Sequence, residues 1–247
     1  MITRENQGDI AILRLAHGKA NALDTELLGA IERELDLAHD ARAVVLTGTG
    51  SMFSAGVDLF QLLEGGPAGI DPFLDALEAA VLKLFEFSSP VVAAVNGHAI
   101  AGGCILVEAC DYRIMSGGKI GVAELLVGVP FPVAALEVIR YATPPQHIQK
   151  IAYTGRALAP EDALAHGLVD ETATPETLEA RAIEVARQFG AIPRQSFTLA
   201  KRTLREPTLR RIAEARASID RDVRRVWANP STHQIIRAYL DKTVGKK

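Results

Sequence analysis

Apolar and polar residues follow two rhythms along this chain, and the switches between them mark out its elements. From Gly8 to Leu15, Ile10 and Ile12 fall on one face and Leu13 and Leu15 on the other, which predicts an opening strand. Leu27, Leu28, Ile31, Leu35 and Ala38 then recur at helical spacing behind Asp24 or Thr25, either of which can cap a helix running to about Ala38. The apolar runs Ala43–Leu46 and Val91–Val95 predict buried strands, and Tyr112–Met115 a further one. Gly65-Gly-Pro-Ala-Gly69 is too rich in glycine for a helix interior and predicts a mobile connection, before a helix from Asp71-Pro72 to about Phe87 that Ser88-Ser89-Pro90 ends. Helices are expected next at Val133–Tyr141, Pro144–Tyr153 and Pro160–Ala165, with Gly167 as the residue after the last of them and Leu168–Asp170 as a short exit strand. From Pro175 onward the signal is helical throughout, at Glu176–Phe189, Pro193–Leu204, Pro207–Trp227 and Ser231–Lys242.

Two of the strands lead into turns of one kind. The run at 91–95 passes through Asn96-Gly97-His98-Ala-Ile-Ala101 to the pair Gly102-Gly103, which opens a helix from Cys104 to Ala109. The first N–H groups of a helix lack internal partners and carry the positive end of its dipole. Glycine there lets a ligand reach the backbone, although a tight turn against a neighbouring helix would use the same pair. Ala43–Leu46 repeats the plan: a loop at Thr47–Ser51, then Phe53-Ser-Ala-Gly-Val-Asp-Leu59 entering a helix. Backbone N–H groups from two such turns, converging on one oxygen, would make an oxyanion hole. The loop Gly48-Thr-Gly-Ser-Met-Phe53 fits neither nucleotide motif, since it lacks the third glycine of GxGxxG and the Gly-Lys-Ser/Thr ending of a P-loop.

Composition narrows the partners. At 247 residues, with 48% hydrophobic and 23% charged residues, the chain suits one globular domain with a sizeable core; its net charge of -3 gives no basic footprint for nucleic acid. No segment approaches the roughly 18 to 20 apolar residues of a membrane helix, and no signal-like region opens the sequence, which predicts a cytoplasmic protein, or an organellar one if a leader has been removed. Cys104 and Cys110 lack metal-ligand spacing and the histidines are scattered, so neither disulfide nor metal is expected. Arg210, Arg211, Arg216, Arg221, Arg224 and Arg225 are interleaved with Glu214, Asp220 and Asp222, as on a solvated or inter-subunit helix face.

One carboxylate stands apart. Glu124 lies in Ile120-Gly-Val-Ala-Glu-Leu-Leu-Val127, flanked almost entirely by apolar groups. Desolvation in such surroundings penalises its charge, raises its pKa and prepares it to exchange a proton near neutral pH. From local sequence alone, a helix-start glutamate turned to water is the other reading.

Phe53-Ser-Ala-Gly-Val-Asp-Leu59, Asn96-Gly-His-Ala-Ile-Ala-Gly-Gly-Cys104 and Ile120-Gly-Val-Ala-Glu-Leu-Leu-Val-Gly128 resemble, in this order, the signature segments of the crotonase (enoyl-CoA hydratase/isomerase) superfamily. With Tyr153-Thr-Gly-Arg156 and Ala165-His-Gly-Leu-Val-Asp170, the resemblance covers nearly the whole chain. It implies an α/β fold, a spiral of repeated ββα units with a C-terminal helical region. Residues 1–190 would form the core with the acyl-CoA site, and 191–247 would cover that site or mediate assembly into a homotrimer or hexamer. The implied substrate is an acyl-CoA thioester, coenzyme A being part of it and no separate cofactor being needed. By the same resemblance Val57 N–H and Gly102 N–H would bind the thioester oxygen, and Glu124 falls on the proton-transferring glutamate. Lys19 would lie near the CoA phosphates, unless it is simply a solvated loop lysine, and Ala20 and Ala22 would line the pocket. Ala55, Asp58, Leu59, Ile100 and Gly103 are the other implied substrate-binding positions.

The sequence departs from the hydratase pattern at one informative place. Two-carboxylate hydratases of this family carry a second glutamate directly after Gly-Gly-Cys, where this chain has Ile105. Adding water across a double bond needs an oriented water and a delivered proton, which two carboxylates can share. Moving a double bond from C3–C4 to C2–C3 needs one base that takes a proton at C2 and returns it at C4, while the oxyanion hole holds the dienolate. The first expectation is therefore Δ3,Δ2-enoyl-CoA isomerisation, as in the single-glutamate isomerases that Ala101-Gly-Gly-Cys104 and Cys110-Asp-Tyr-Arg-Ile114 resemble. Hydration by Glu124 with a water comes second, another acyl-CoA lyase or hydrolase third, and a non-catalytic CoA-binding protein last. Glu108, three residues beyond Ile105, is a weak substitute for the missing carboxylate, and His98 is expected to be a partly buried, hydrogen-bonded histidine. Val129-Pro-Phe-Pro132 replaces the glycine-rich loop of many hydratases and leaves the shape of the acyl pocket open.

Overall fold

The computed structural model describes residues 1–216 and 218–243. β1 (Ile2–Gln7) and β2 (Ile10–Leu15) form an antiparallel hairpin. β1 goes beyond the sequence expectation: its side chains are almost all exposed and carry no apolar alternation, and only Ile2 packs on the core. β2 splits as expected, Ile10 and Ile12 joining an outer cluster while Leu13 and Leu15 join the main core. Asp24 caps α1 (Thr25–Leu37) by accepting from Leu27 N–H, and the helix buries Leu27, Leu28, Ile31 and Leu35.

Three consecutive units then follow one plan. β3 (Ala43–Thr47), β4 (Met52–Ser54) and α2 (Leu59–Glu86) form the first. β5 (Val91–Val95), β6 (His98–Ile100) and α3 (Gly102–Glu108) form the second. β7 (Tyr112–Met115), β8 (Ile120–Gly121) and α4 (Glu124–Val127) form the third. The first strand of each unit joins a six-stranded sheet, completed by β9 (Glu171–Thr172), in the order β1-β2-β3-β5-β7-β9. The second strand of each joins a parallel sheet ordered β4-β6-β8. Each unit advances by one strand in both sheets, which sets the starts of α2, α3 and α4 side by side. The ββα repetition is present, with three units where the sequence suggested two.

α5 (Val133–Ala142), α6 (Pro145–Thr154) and α7 (Pro160–His166) fall within two residues of expectation. The exit strand is β9 rather than Leu168–Asp170: Leu168 and Val169 are buried, but Asp170 is held by the backbone and guanidinium of Arg113, and strand pairing starts after it. α8 (Leu178–Gly190) lays Leu178, Ala182, Ile183 and Ala186 over the outer sheet face against Ile10, Ile12 and Val45. Each leucine- or isoleucine-sized side chain buried there contributes about 1.5–3 kcal/mol.

Two helices run longer than their glycine and proline content suggested. α2 passes through the 65–69 stretch with non-helical angles only at Gly66, where φ is 58°. Glycine takes that angle without a Cβ clash, Pro67 can start the next turn, and buried Leu62, Ile70, Phe73 and Leu74 hold both sides of the break on the core. The expected mobile connection is therefore helical. α9 (Arg194–Arg216) continues through Pro207 instead of stopping at Leu204. An interior proline costs about 3 kcal/mol. Anchors on both sides offset it: Arg205 donates to the carbonyls of Phe85, Ala109 and Cys110 and pairs with Asp111, and Thr208 and Ile212 are buried. The break lies instead between α9 and α10 (Ile219–Trp227), followed by α11 (Pro230–Thr243).

Candidate active site

The turn after β4 is built by hydrogen bonds that expose one amide. Ser54 Oγ donates to Asn21 O at 2.7 Å and accepts from Gly56 N–H at 3.2 Å. Leu23 N–H donates to Gly56 O at 2.8 Å and Asp58 N–H donates to Leu23 O at 2.9 Å. In this parallel bridge the residue between the two bonded groups turns its own N–H away from Leu23. That residue is Val57, whose N–H donates to no acceptor among the described residues.

The turn after β6 leaves a second free amide. Ala101 N–H donates to Gly121 O at 2.8 Å, tying this turn to the third unit, and Ala101 holds the strained φ of 49° for a non-glycine residue. Gly102 is the first residue of α3, and its N–H donates to no acceptor among the described residues. The two turns touch. Gly56 has φ 81°, and a Cβ on it would stand 2.5 Å from Ile100 O and 3.1 Å from Gly102 N. A Cβ on Gly102 would lie 3.9 Å from Val57 Cγ2. Asn96 fixes the approach from behind, its Nδ2 donating to Gly50 O and its Oδ1 accepting from Gly48 N–H.

The third turn brings Glu124. It opens α4 directly after β8, and its side chain points inward with the residue only 4% exposed. Oε2 is buried and has no partner among the described residues. Burial raises its carboxyl from the ordinary 4.5 to about 8, opposed weakly by its own backbone N–H. The helix-start glutamate turned to water is thus not what the fold builds.

These turns enclose an inner cavity of about 70 Å3. Ala55, Val57 and Leu59 line it from the first turn, Ile100 and Ala101 from the second, and Glu124, Val127 and Val129 from the third. Trp227 of α10 and Tyr239 of α11 complete the wall. A cleft of about 510 Å3 adjoins it, sharing Ala55, Val57, Leu59 and Tyr239 and adding His17, Lys19, Ala20, Ala22, Asp58 and Phe60. Lys19 is exposed and makes no ion pair among the described residues. Asp58 also caps α2, accepting from the N–H groups of Phe60 and Gln61.

The structure thus brings Val57, Glu124, Ala55, Leu59 and Ile100 around one cavity, with Gly102 at their contact, and Lys19, Ala20, Ala22 and Asp58 around the next. Gly103 is different. A Cβ there would stand 2.5 Å from Ser54 O, and it lines neither cavity; it lets α3 pack on β4 instead of facing the expected ligand. His98 is half-buried but makes no side-chain hydrogen bond among the described residues, contrary to expectation. Ile105 is buried in the main core, and Glu108, 0% exposed, is bound by Arg113 at 2.5 Å. Among the described residues no second carboxylate lines the cavity with Glu124. Trp227 and Tyr239 were not legible as site residues, although α10 carried a signal: Asp220, Val223 and Trp227 recur at helical spacing and are its buried side.

Comparison with known proteins shows which chains this one resembles. A family model described as enoyl-CoA hydratase/isomerase matches residues 5–244. The chain is 27% identical over 254 residues to enoyl-CoA delta isomerase 1, mitochondrial, of Rattus norvegicus, covering 100% of this chain and 88% of that protein. It is 33% identical over 213 residues to a carnitinyl-CoA dehydratase of Salmonella arizonae, covering 81% and 77%. Its fold is similar to human mitochondrial delta3-delta2-enoyl-CoA isomerase, with a TM-score of 0.94 at 25% identity over 100% of this chain and 99% of that one.

Proposed function

The chain belongs to the enoyl-CoA hydratase/isomerase family, and from that premise we propose that it moves the double bond of a 3-enoyl-CoA to the 2-position with Glu124 as its single proton carrier. The observation that carries this reading, among the described residues, is one buried carboxylate with an unpartnered oxygen, beside two free amides and with no second carboxylate at the cavity. Val57 N–H and Gly102 N–H receive the thioester oxygen. Glu124 takes a proton from C2, and the electron pair moves into the C1–C2 bond as charge builds on that oxygen. The resulting dienolate spans O, C1, C2, C3 and C4. Return of the proton from Glu124 to C4 restores the carbonyl and leaves the double bond between C2 and C3. Stabilising the oxyanion is the larger electrostatic contribution, since aligned donors in a dry site need no reorganisation. Lys19, Ala20, Ala22 and Asp58 bound the coenzyme A side, with the free Lys19 ammonium facing phosphate. Residues 191–243 contribute cover through Trp227 and Tyr239, which supports a border near residue 190.

Hydration of a 2-enoyl-CoA is the competing reading, favoured by the dehydratase relative and opposed by Ile105. A paired assay separates them. Conjugated thioester absorbance should appear from trans-3-hexenoyl-CoA and persist with trans-2-hexenoyl-CoA. Loss of conjugation from the latter, with 3-hydroxyacyl-CoA formed, would make hydration the activity.

Two further outcomes follow from the site. The base must be ionised to accept the C2 proton, so kcat/KM should rise with pH toward about 8 and level off above it. A profile flat between pH 6 and 9, within the range of carboxylate and histidine titration, would contradict that role. Gly56→Ala places a Cβ at φ 81° and 2.5 Å from Ile100 O, forcing the two turns apart. Misplacing one oxyanion donor should lower kcat by about 100-fold, with circular dichroism confirming that the variant folds.

The proposed assembly is a homotrimer or hexamer in the cytoplasm. Leu126 (52% exposed), Tyr153 (69%) and Ile235 (50%) present apolar surface from α4, α6 and α11 that a second copy would cover. Light scattering should give three or six times the chain mass, and a monomer at micromolar concentration would contradict the assembly. Among the described residues no helix is long and apolar enough to cross a membrane. Cell fractionation tests the location, because the rat relative's name places that protein in mitochondria.

A further inference from the structure

Trp227 lines the inner cavity but not the outer cleft, whereas Tyr239 lines both. Trp227 therefore lies on the inner side of the junction between the two, away from the cleft. It is 1% exposed and fixed by several contacts. Its Nε1–H donates to Pro130 O at 2.9 Å, its backbone carbonyl lies 3.0 Å from His233 Nε2, and its ring meets Phe73 at a centroid distance of 6.3 Å. The same helix holds the adjoining wall a second time, Asp220 Oδ1 accepting from Val133 N–H at 3.0 Å. The 130–133 segment is thus pinned at both ends by α10, and the neighbouring Val129 stays against the cavity. An apolar cavity of about 150 Å3 takes a benzene ring. The 70 Å3 found here accordingly holds about three carbon atoms, enough for C2 to C4 beside Glu124 and little beyond.

We propose that Trp227, clamped by Pro130 and by the Asp220–Val133 bond, is the stop that sets acyl-chain length, confining the site to chains of about four to six carbons. This rests on assigning the cavity to the acyl part of a CoA thioester, but not on isomerisation itself. It makes α10 a specificity element: shortening the Trp227 side chain opens room where the chain now ends.

The test is calorimetric binding of saturated acetyl-, butanoyl-, hexanoyl- and decanoyl-CoA to the wild type, Trp227→Ala and Val129→Ala, alongside turnover of 3-enoyl-CoAs of matching length. Hexanoyl-CoA should bind the wild type about tenfold or more tightly than decanoyl-CoA, and Trp227→Ala should raise the decanoyl-to-hexanoyl affinity ratio by about tenfold. Val129→Ala, a milder opening of the same wall, should raise it about threefold and keeps the test alive if Trp227→Ala does not fold. Trp227 is the sole tryptophan. Its fluorescence should respond to hexanoyl-CoA and not to acetyl-CoA, whose chain ends short of it. Equal or tighter wild-type binding of decanoyl-CoA, or an unchanged ratio in a folded variant, would overturn the proposal. Should no double bond move at any length while the binding ratios follow this pattern, the isomerase reading fails and the chain stop stands; isomerisation without length preference means the reverse. Failure to bind any acyl-CoA ends both.

Discussion

Glu124→Gln should lower kcat for 3-enoyl-CoA isomerisation by about 1,000-fold or more, with KM changed far less. General acid–base catalysis by one group is worth about 10²–10⁴, and in the proposed reaction one carboxylate serves both half-reactions, so no second group takes over. Glutamine preserves size and can still occupy the buried position, but it accepts no proton from C2. Stability provides the control. The Glu124 carboxyl titrates near 8 when folded and near its ordinary 4.5 when unfolded, so between these values the native state holds the extra proton. Its contribution to stability is full below about pH 4.5 and is lost as pH rises through about 8. A glutamine has no such loss, so at pH 8.5 the variant should melt no lower than the wild type while remaining inactive. A folded variant within tenfold of wild-type kcat would remove Glu124 from the chemistry.

Arg113→Leu should be the most damaging substitution for the fold, costing about 3–5 kcal/mol in urea denaturation at pH 8. Arg113 sits between two acids. Its Nη1 donates to fully buried Glu108 at 2.5 Å, while Nε and Nη2 each donate to Asp170 at 2.9 Å. It thereby ties the end of α3 to the segment before β9. Burial already raises the Glu108 carboxyl to about 7, against the opposing pull of the Arg113 charge. Without the guanidinium that carboxyl rises further and stays protonated in the folded protein. Stability of the variant is then best at low pH and falls as pH climbs through the raised value, so the deficit relative to wild type should be smaller at pH 6 than at pH 8. An equal deficit at both values, or one below about 1 kcal/mol, would mean that Glu108 is not held as a charge.

Glu108 also shows where local sequence stops. Its place three residues after Ile105 suggested a weak stand-in for a missing catalytic carboxylate, yet it is bound by Arg113, five residues further on in β7, and neither residue lines the cavity. Local pattern sufficed where an element's own side chains decide its form: the capped α1, the apolar runs of β3 and β5, and the glycine turns that open at Gly56 and Gly102. It failed where distant contacts decide. α9 crosses Pro207 because Arg205 reaches carbonyls in α2 and at the end of α3, just past Glu108, and α2 crosses its glycines because the core grips both flanks. Val57, Gly102 and Glu124 were singled out through the signature segments they share with the family rather than by local pattern, which for Glu124 left a solvent-facing carboxylate open; the fold sets all three on adjoining turns. The depth of the site was not legible. Trp227 and Tyr239 come from helices whose docking depends on contacts as remote as Asp220 with Val133, 87 residues away.

In the proposed reaction one buried carboxylate carries a proton from C2 to C4. The most direct test of that transfer is a single turnover of 3-hexenoyl-CoA dideuterated at C2, with the product's C4 examined by NMR. Because Glu124 is buried at the cavity and no second carboxylate lines it among the described residues, a substantial share of the removed deuterium should reappear at C4. Product carrying none of that label at C4, the whole of it having passed to water, would contradict a single-glutamate shuttle and point to a relay through solvent.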